Sequence, residues 1–371
     1  MKVLHIINTL SAGGAELHLL TLCRHLKRHR VETVVACLRE QIKGSRSLVS
    51  DFQQQGIRVV NLRADRMFDP RCLFKLIRLV GEEKPDIVHT HLPRADFAGA
   101  MTTFFRGEVL WVCTIHAIYS ASWSGKWFLP LFDVFWRRAN TIIAISKAVK
   151  TWLVEERRIP SQKIRVVHYG IEPDRFNIAT VGGGETYSVN GSPLIGSIGR
   201  LERGKGYDIL IEAMPAVHKR APDALLLIAG HDPWGYSKSL QAASSRLGLD
   251  GTVRLVGFQN NIPAFLHALD VFVFASRSEG FGQAVIEAMA AGKPVVASKI
   301  PPLTEIVVDG ESGLLVEVDN PGAFARAISS LLLDPEEARR LGKQGQQRVY
   351  EHFTAEKMSA ETFSLYRELI S

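Results

Sequence analysis

Short runs rich in Val, Ile and Leu recur through the first half of the chain, at residues 3–7, 33–38, 57–62, 86–90, 110–115, 141–145 and 164–168. They are apolar almost throughout and do not alternate, which predicts strands covered on both faces. Between several of them the apolar positions fall three and four apart, as over residues 15–26 and 72–82, which predicts helices. Strand and helix in alternation imply a parallel sheet with helices on either side.

The second half repeats the plan. Strands are expected at 194–198, 224–229, 253–256, 271–275, 294–297 and 314–316, and helices at 207–218, 262–269, 281–291 and 321–333. Between the halves lie Gly182-Gly183-Gly184 and Asn190-Gly191-Ser192, a linker or exposed loop by composition. The expected organisation is a first domain over 1–176, a linker over 177–193, a second domain over 194–352 and a terminal helical segment over 353–371. Two doubly wound α/β domains of this kind are expected to face each other across a cleft at the carboxyl ends of their strands.

Composition narrows the class. At 371 residues, 46% hydrophobic and 22% charged, the chain is globular and long enough for two cores. No apolar run reaches the roughly 18 residues of a membrane span, and the first residues lack the apolar stretch and cleavage site of a signal peptide. The four cysteines show no metal-ligand spacing, so a reducing cytoplasm is the expected location, with neither disulfides nor structural zinc. The net charge of +7 is uneven: residues 1–175 carry 27 Lys and Arg against 16 Asp and Glu, a balance of +11, and the remainder carries −4. A basic front half suits an anionic partner such as a membrane surface, or is simply a solvated basic face.

Four stretches carry candidate chemistry. Gly13-Gly14-Ala15-Glu16 follows the first strand and opens a helix, a place where backbone N–H groups can meet an anion; a plain tight turn has the same look. Gly199-Arg200-Leu201-Glu202-Arg203-Gly204-Lys205-Gly206 follows the first strand of the second domain, and two of its cations, Arg200 and Lys205, could grip a diphosphate. Glu279-Gly280-Phe281-Gly282-Gln283-Ala284-Val285-Ile286-Glu287 places two carboxylates around a helix start whose amides and acids can bind phosphate and sugar hydroxyls together. His116 ends a first-domain strand, where it is either structural or a ligand contact. His89 and His91 share a strand face, and a metal reading of them lacks a third ligand. The chain has no Asp-x-Asp, no Walker A motif, no nucleophile elbow, and neither helix-turn-helix nor aromatic RNA-binding signature, so nucleic acid is not expected as a partner.

Taken together, Gly13-Gly14-Ala15-Glu16, Arg200 with Lys205, and the E-x7-E element from Glu279 to Glu287 resemble the retaining glycosyltransferases of family 4, and the likeness covers nearly the whole chain. Glu172 stands where that family more often has Asp. The resemblance implies the GT-B fold of two Rossmann-like domains and transfer of a sugar from a nucleoside diphosphate donor, UDP by family frequency, to a hydroxyl. It implies that Arg200 and Lys205 hold the diphosphate, that Glu279 lies near the donor sugar with His116 facing it, and that Glu287 receives the ribose hydroxyls. Backbone amides of Gly280, Phe281, Gly282 and Gln283 would bind phosphate or sugar, Gly257 and Phe258 would line the base pocket, and Gly14 would allow close approach to the phosphates. The terminal helix would return to the first domain. No metal or other cofactor is expected, since fixed cations and amides can stabilise the leaving group.

The stretch from Trp123 to Arg138 holds three Trp, three Phe and three basic residues, a mixture that suits either a lipid interface or a core-facing helix. A lipid-linked or anionic glycan is therefore the expected acceptor. A sugar-nucleotide epimerase, a phosphorylase or a non-catalytic binding module on the same scaffold remain alternatives; the joint presence of Arg200, Lys205, Glu279 and Glu287 favours transfer.

Overall fold

The computed structural model describes residues 1–39, 46–64, 69–119, 129–177 and 191–371. The chain divides into two compact units, Met1–Ile171 with Ala355–Ser371, and Glu172–Thr354.

The first unit is a seven-stranded parallel sheet of β1 (Lys2–Ile7), β2 (Glu32–Cys37), β3 (Arg58–Asn61), β4 (Ile87–His91), β5 (Leu110–Ile115), β6 (Thr141–Ala144) and β7 (Ile164–Val166). Their order is β3-β2-β1-β4-β5-β6-β7. The chain runs outward from β1, then returns to its other side at β4, so the order reverses between these two. β1 and β4 are buried along nearly their whole length because helices cover both faces. The helix Gly14–Leu26 lays a stripe of His18, Leu19, Leu22, Cys23 and Leu26 on the sheet. The terminal helix Ala355–Ile370 packs here too, its Met358, Leu365 and Tyr366 sharing a core with Val3, Leu22, Ile87 and Val112.

The second unit is a six-stranded parallel sheet of β8 (Leu194–Ile198), β9 (Leu225–Ala229), β10 (Val253–Gly257), β11 (Val271–Phe274), β12 (Val295–Ser298) and β13 (Leu314–Val316), in the order β10-β9-β8-β11-β12-β13. Its order reverses between β8 and β11. Residues 172–176, placed in the first domain by the sequence reading, pack in this second unit: the Phe176 carbonyl lies 2.6 Å from His267 Nε2, and the Tyr350 hydroxyl donates to Asp174 at 2.8 Å. Most of the segment read as a linker, 178–190, lies outside the described residues. All four cysteines are buried and unbridged. Among the described residues no helix is long and apolar enough to cross a membrane.

Candidate functional site

In the second unit the chemistry gathers where the strand order reverses, at the carboxyl ends of β8 and β11, the place where open parallel sheets hold ligands. After β8 the chain makes one tight turn, Arg203–Lys205, before the helix Tyr207–His218. Gly206 joins the two at φ +67°, and a Cβ there would stand 2.0 Å from the Ala275 carbonyl oxygen, so this close approach requires glycine. Across that contact Lys205 Nζ meets Glu279 Oε1 at 2.5 Å, with the two side chains only 17% and 11% exposed. The Ser276 hydroxyl lies 2.8 Å from the same carboxylate oxygen. Arg277 ties the loops together: its guanidinium donates twice to Asp208, at 2.9 and 3.0 Å, and once each to Asp319 and the Arg203 carbonyl.

Arg200 does not join this pair. Its guanidinium is 62% exposed, 3.3 Å from Glu202 and stacked over the Trp234 ring at 5.6 Å. Tyr207 does belong to the neighbourhood, although the sequence reading passed over it. Its phenol is buried, its hydroxyl has no hydrogen-bond partner among the described residues, and burial followed by the Glu279 and Glu202 charges pushes its pKa upward.

The helix Gln283–Ala290 begins at Gly282, whose φ of +117° and 2.5 Å clearance between a Cβ and Leu303 exclude larger residues. No side chain caps this terminus; the Val285 N–H donates to the Gly282 carbonyl at 2.9 Å, and the amides ahead of it lie before the first intrahelical bond. The Phe281 ring faces inward, 5.8 Å from that of Phe353, so only its backbone can serve a ligand. Gln283 Nε2 donates to Glu287 Oε1 at 2.9 Å, and burial pushes Glu287 up to about 7. At the end of β10, Gly257 turns at φ +69° and leaves Phe258 half exposed, a flat apolar face beyond the sheet.

In the first unit, Gly13 caps the helix Gly14–Leu26 with extended backbone and no side-chain bond, and Gly14 is exposed in its first turn. His116 lies just past β5 and is 8% exposed. Both of its ring nitrogens are engaged: Nε2 is 3.0 Å from His91 Nδ1, and Nδ1 is 2.5 Å from the Tyr169 hydroxyl. His91 Nε2 in turn lies 3.2 Å from His5 Nδ1. His89 stands beside this row with its own partners, Tyr366 at 2.5 Å and Thr114 at 2.7 Å. Burial, reinforced by neighbouring imidazoles, holds His91 and His89 well below the usual range, and His5 falls to about 3.

His5 is the third imidazole missing from the metal reading of His89 and His91, since one nitrogen from each of the three lies within 4.8 Å of the others. These rings are nonetheless closed to solvent, and both nitrogens of His89 and of His91 already have protein partners. The donor set therefore fits a hydrogen-bonded network better than an ion, which would need a path in and vacant nitrogens.

Two family patterns cover most of the chain: Glycosyltransferase Family 4 matches residues 12–175, and Glycosyl transferases group 1 matches residues 185–348. Together the two patterns span most of the chain, which is a glycosyltransferase of the family 4 type. Among the relatives of this glycosyltransferase, the capsular polysaccharide biosynthesis glycosyltransferase CapM of Staphylococcus aureus is 27% identical over 81% of this chain and 82% of its own. The lipopolysaccharide core biosynthesis glycosyltransferase LpsE of Rhizobium meliloti is 27% identical over 97% of each. The crystal structure of Anabaena HepE in complex with UDP and glucose has the same fold, with a TM-score of 0.85 and 24% identity over 98% of this chain and 99% of that one. The architecture of this family 4 enzyme is therefore GT-B. Of its sequence-predicted residues, the structure brings Lys205 and Glu279 into direct contact and joins Gln283 to Glu287. Arg200 is held by other partners, and His116 is enclosed in a row of imidazoles.

Proposed function

We propose that this glycosyltransferase moves a hexose, with retention, from a uridine diphosphate sugar to a hydroxyl of a lipid-linked or polymeric glycan destined for a cell-surface polysaccharide. The observation that carries the reading is the Lys205–Glu279 pair at the strand-order reversal of the second unit, beside the uncapped start of the helix Gln283–Ala290. Departure of the nucleoside diphosphate places negative charge on the β-phosphate. A lysine already fixed by Glu279 and the open amides of that helix are aimed at such charge without reorganising, which lowers the barrier. Arg200, exposed and held among the described residues by Glu202 and Trp234, can turn onto the same phosphates. Ionised Glu287 accepts from the ribose hydroxyls, Phe258 stacks on the base, and the acceptor proton passes to the departing phosphate. Lysine and amides supply the positive charge, so no divalent cation is invoked. The bound UDP and glucose of HepE and the roles of CapM and LpsE in polysaccharide assembly support the choice of donor and acceptor class.

The acceptor face of the first unit is read as membrane-facing. In the helix Leu129–Arg138, Phe132 and Trp136 enter the core while Leu131 and Val134 stay exposed; residues 123–128 of the aromatic stretch lie outside the described residues. Arg138, one turn beyond Val134, lies 5.8 Å from the ring of Phe104, which with Phe105 is about three-fifths exposed. Apolar bulk beside arginine is the composition of a surface that rests in an anionic lipid interface. The test of the whole reading is transfer from radiolabelled UDP-, GDP- and ADP-hexoses to a lipid extract. Product with a UDP-sugar that depends on Lys205 supports it; no product with any donor, or activity only after added divalent metal, counts against it.

A further inference from the structure

His5, His91, His116 and Tyr169 form one continuous row through the first unit. His5 lies on β1, His91 at the end of β4, and His116 just past β5, all on the sheet face covered by the helices Gly14–Leu26 and Ala355–Ile370; strand pairing sets His5 opposite His89, two residues before His91. The row runs from the point where the strand order reverses toward the less buried end of the sheet. His5 and His91 are fully enclosed, whereas His116 and Tyr169 are 8% and 6% exposed.

Proton balance constrains such a row. Each nitrogen–nitrogen contact needs one N–H and one lone pair, and a neutral imidazole has one of each. The contact His5 Nδ1···Nε2 His91 therefore dictates the contact His91 Nδ1···Nε2 His116, which dictates the state of His116 Nδ1. The row can hold one of two polarities, and every member changes together. The inner end chooses between them. There His5 Nε2 has no partner among the described residues. It rests as a bare lone pair or as an unpaired N–H, and the unpaired donor is the rarer state in protein interiors. At the outer end burial, with the Glu16 charge behind it, raises the Tyr169 pKa, so the phenol stays neutral and is able to accept from His116. The direction set at the inner end therefore runs through the row: His5 Nδ1–H donates to His91, His91 Nδ1–H to His116, and His116 Nδ1–H to Tyr169. His18 stacks on the Tyr169 ring at 4.2 Å between centroids and holds it in line.

We infer that His5 and His91 are positioning residues that fix His116 in a single tautomer, with Nδ1 as the hydrogen-bond donor. This deepens the reading of His116 as facing the donor sugar, and its consequence for transfer rests on that reading. With Nε2 locked by a fully buried partner, a sugar hydroxyl reaches His116 only by replacing Tyr169 at Nδ1, where it meets an N–H and not a lone pair. His116 therefore orients a substrate oxygen as a donor and does not act as a base.

The experiment uses the full-length protein labelled with nitrogen-15 on histidine. The two-bond nitrogen–proton spectrum of the wild type should show His116 with Nδ1 protonated and Nε2 bare. His91→Leu removes the donor and should leave His116 with mixed tautomers; His91→Gln, whose amide can donate to Nε2, should restore the wild-type state. In steady-state transfer, kcat of His91→Leu should fall about a hundredfold, the cost of a misaligned contact, with donor KM within threefold, and His91→Gln should recover most of it. An Nε2-protonated His116 in the wild type overturns the inference. So does a folded His91→Leu with unchanged tautomer and kcat, or stoichiometric zinc or copper in the purified protein. The spectrum needs no substrate, so it decides the row even if no donor is turned over and the functional reading itself fails.

Discussion

Replacing Lys205 by Ala separates the two roles the geometry gives it. Lys205 and Glu279 meet at 2.5 Å with less than a fifth of either side chain exposed, and the Ser276 hydroxyl is the other group beside that carboxylate oxygen. Deleting one member of a buried ion pair costs roughly 3–5 kcal/mol because the other charge stays unpaired; with some water access here, about 2 kcal/mol is expected. For a unit of 183 residues, Glu172–Thr354, that lowers Tm by about 4–8 °C. Loss of a fixed charge at the leaving group should lower kcat by about 10²–10³-fold. The two effects part in the double variant. Adding Glu279→Gln to Lys205→Ala removes the orphan charge and should return most of the lost Tm, but no activity. Calorimetry and a UDP-release assay on the wild type, both single variants and the double variant read both axes. A folded Lys205→Ala that transfers within threefold of the wild type, or a double variant no more stable than Lys205→Ala, refutes the reasoning.

Burial raises the Glu287 pKa from an ordinary 4.5 to about 7. A carboxyl raised in the folded state contributes stability that is complete below the unfolded pKa and is lost as pH rises through the folded one. Wild type should therefore lose stability relative to Glu287→Gln between pH 4.5 and 7, read by urea titration; UDP affinity by calorimetry should rise over pH 6–8 in the wild type and stay flat in the variant. Gly206→Ala forces a Cβ to 2.0 Å from the Ala275 carbonyl at φ +67° and should cost at least about 2 kcal/mol, whereas Gly204→Ala, with open space around its Cβ, should stay within about 0.5 kcal/mol by the same denaturation measurement. Phe104→Ser with Phe105→Ser should weaken flotation with anionic vesicles at least fivefold and leave thermal stability unchanged, because both rings are already exposed; unaltered flotation removes this surface from the membrane reading.

The strands were legible because buried parallel strands are written as continuous Val, Ile and Leu, and each predicted run falls within a few residues of an observed strand. The helix Pro335–His352 was not. It buries only Leu341, Gly342, Gly345 and Val349, and a Cβ on Gly342 would come within 2.2 Å of the Gly292 carbonyl, so half of its packing stripe is glycine and only Leu341 and Val349 mark that face as apolar. Lys205 and Glu279 could each be marked from their motifs, but they lie 74 residues apart, and their contact depends on β11 returning beside β8. Arg200 and Lys205 sit five residues apart with a tight turn between them, which sends their side chains to different partners, a divergence that spacing does not encode. His5 carries no motif. Its membership of the imidazole row follows from the β1–β4 register, and a sequence holds no direct signal for which strands pair.

A crystal structure of the full chain soaked with UDP tests the central claim most directly. A β-phosphate oxygen should lie about 2.8–3.2 Å from Lys205 Nζ, with the ribose hydroxyls on Glu287. Phosphates lodged away from Lys205 and from the start of the helix Gln283–Ala290 would contradict it.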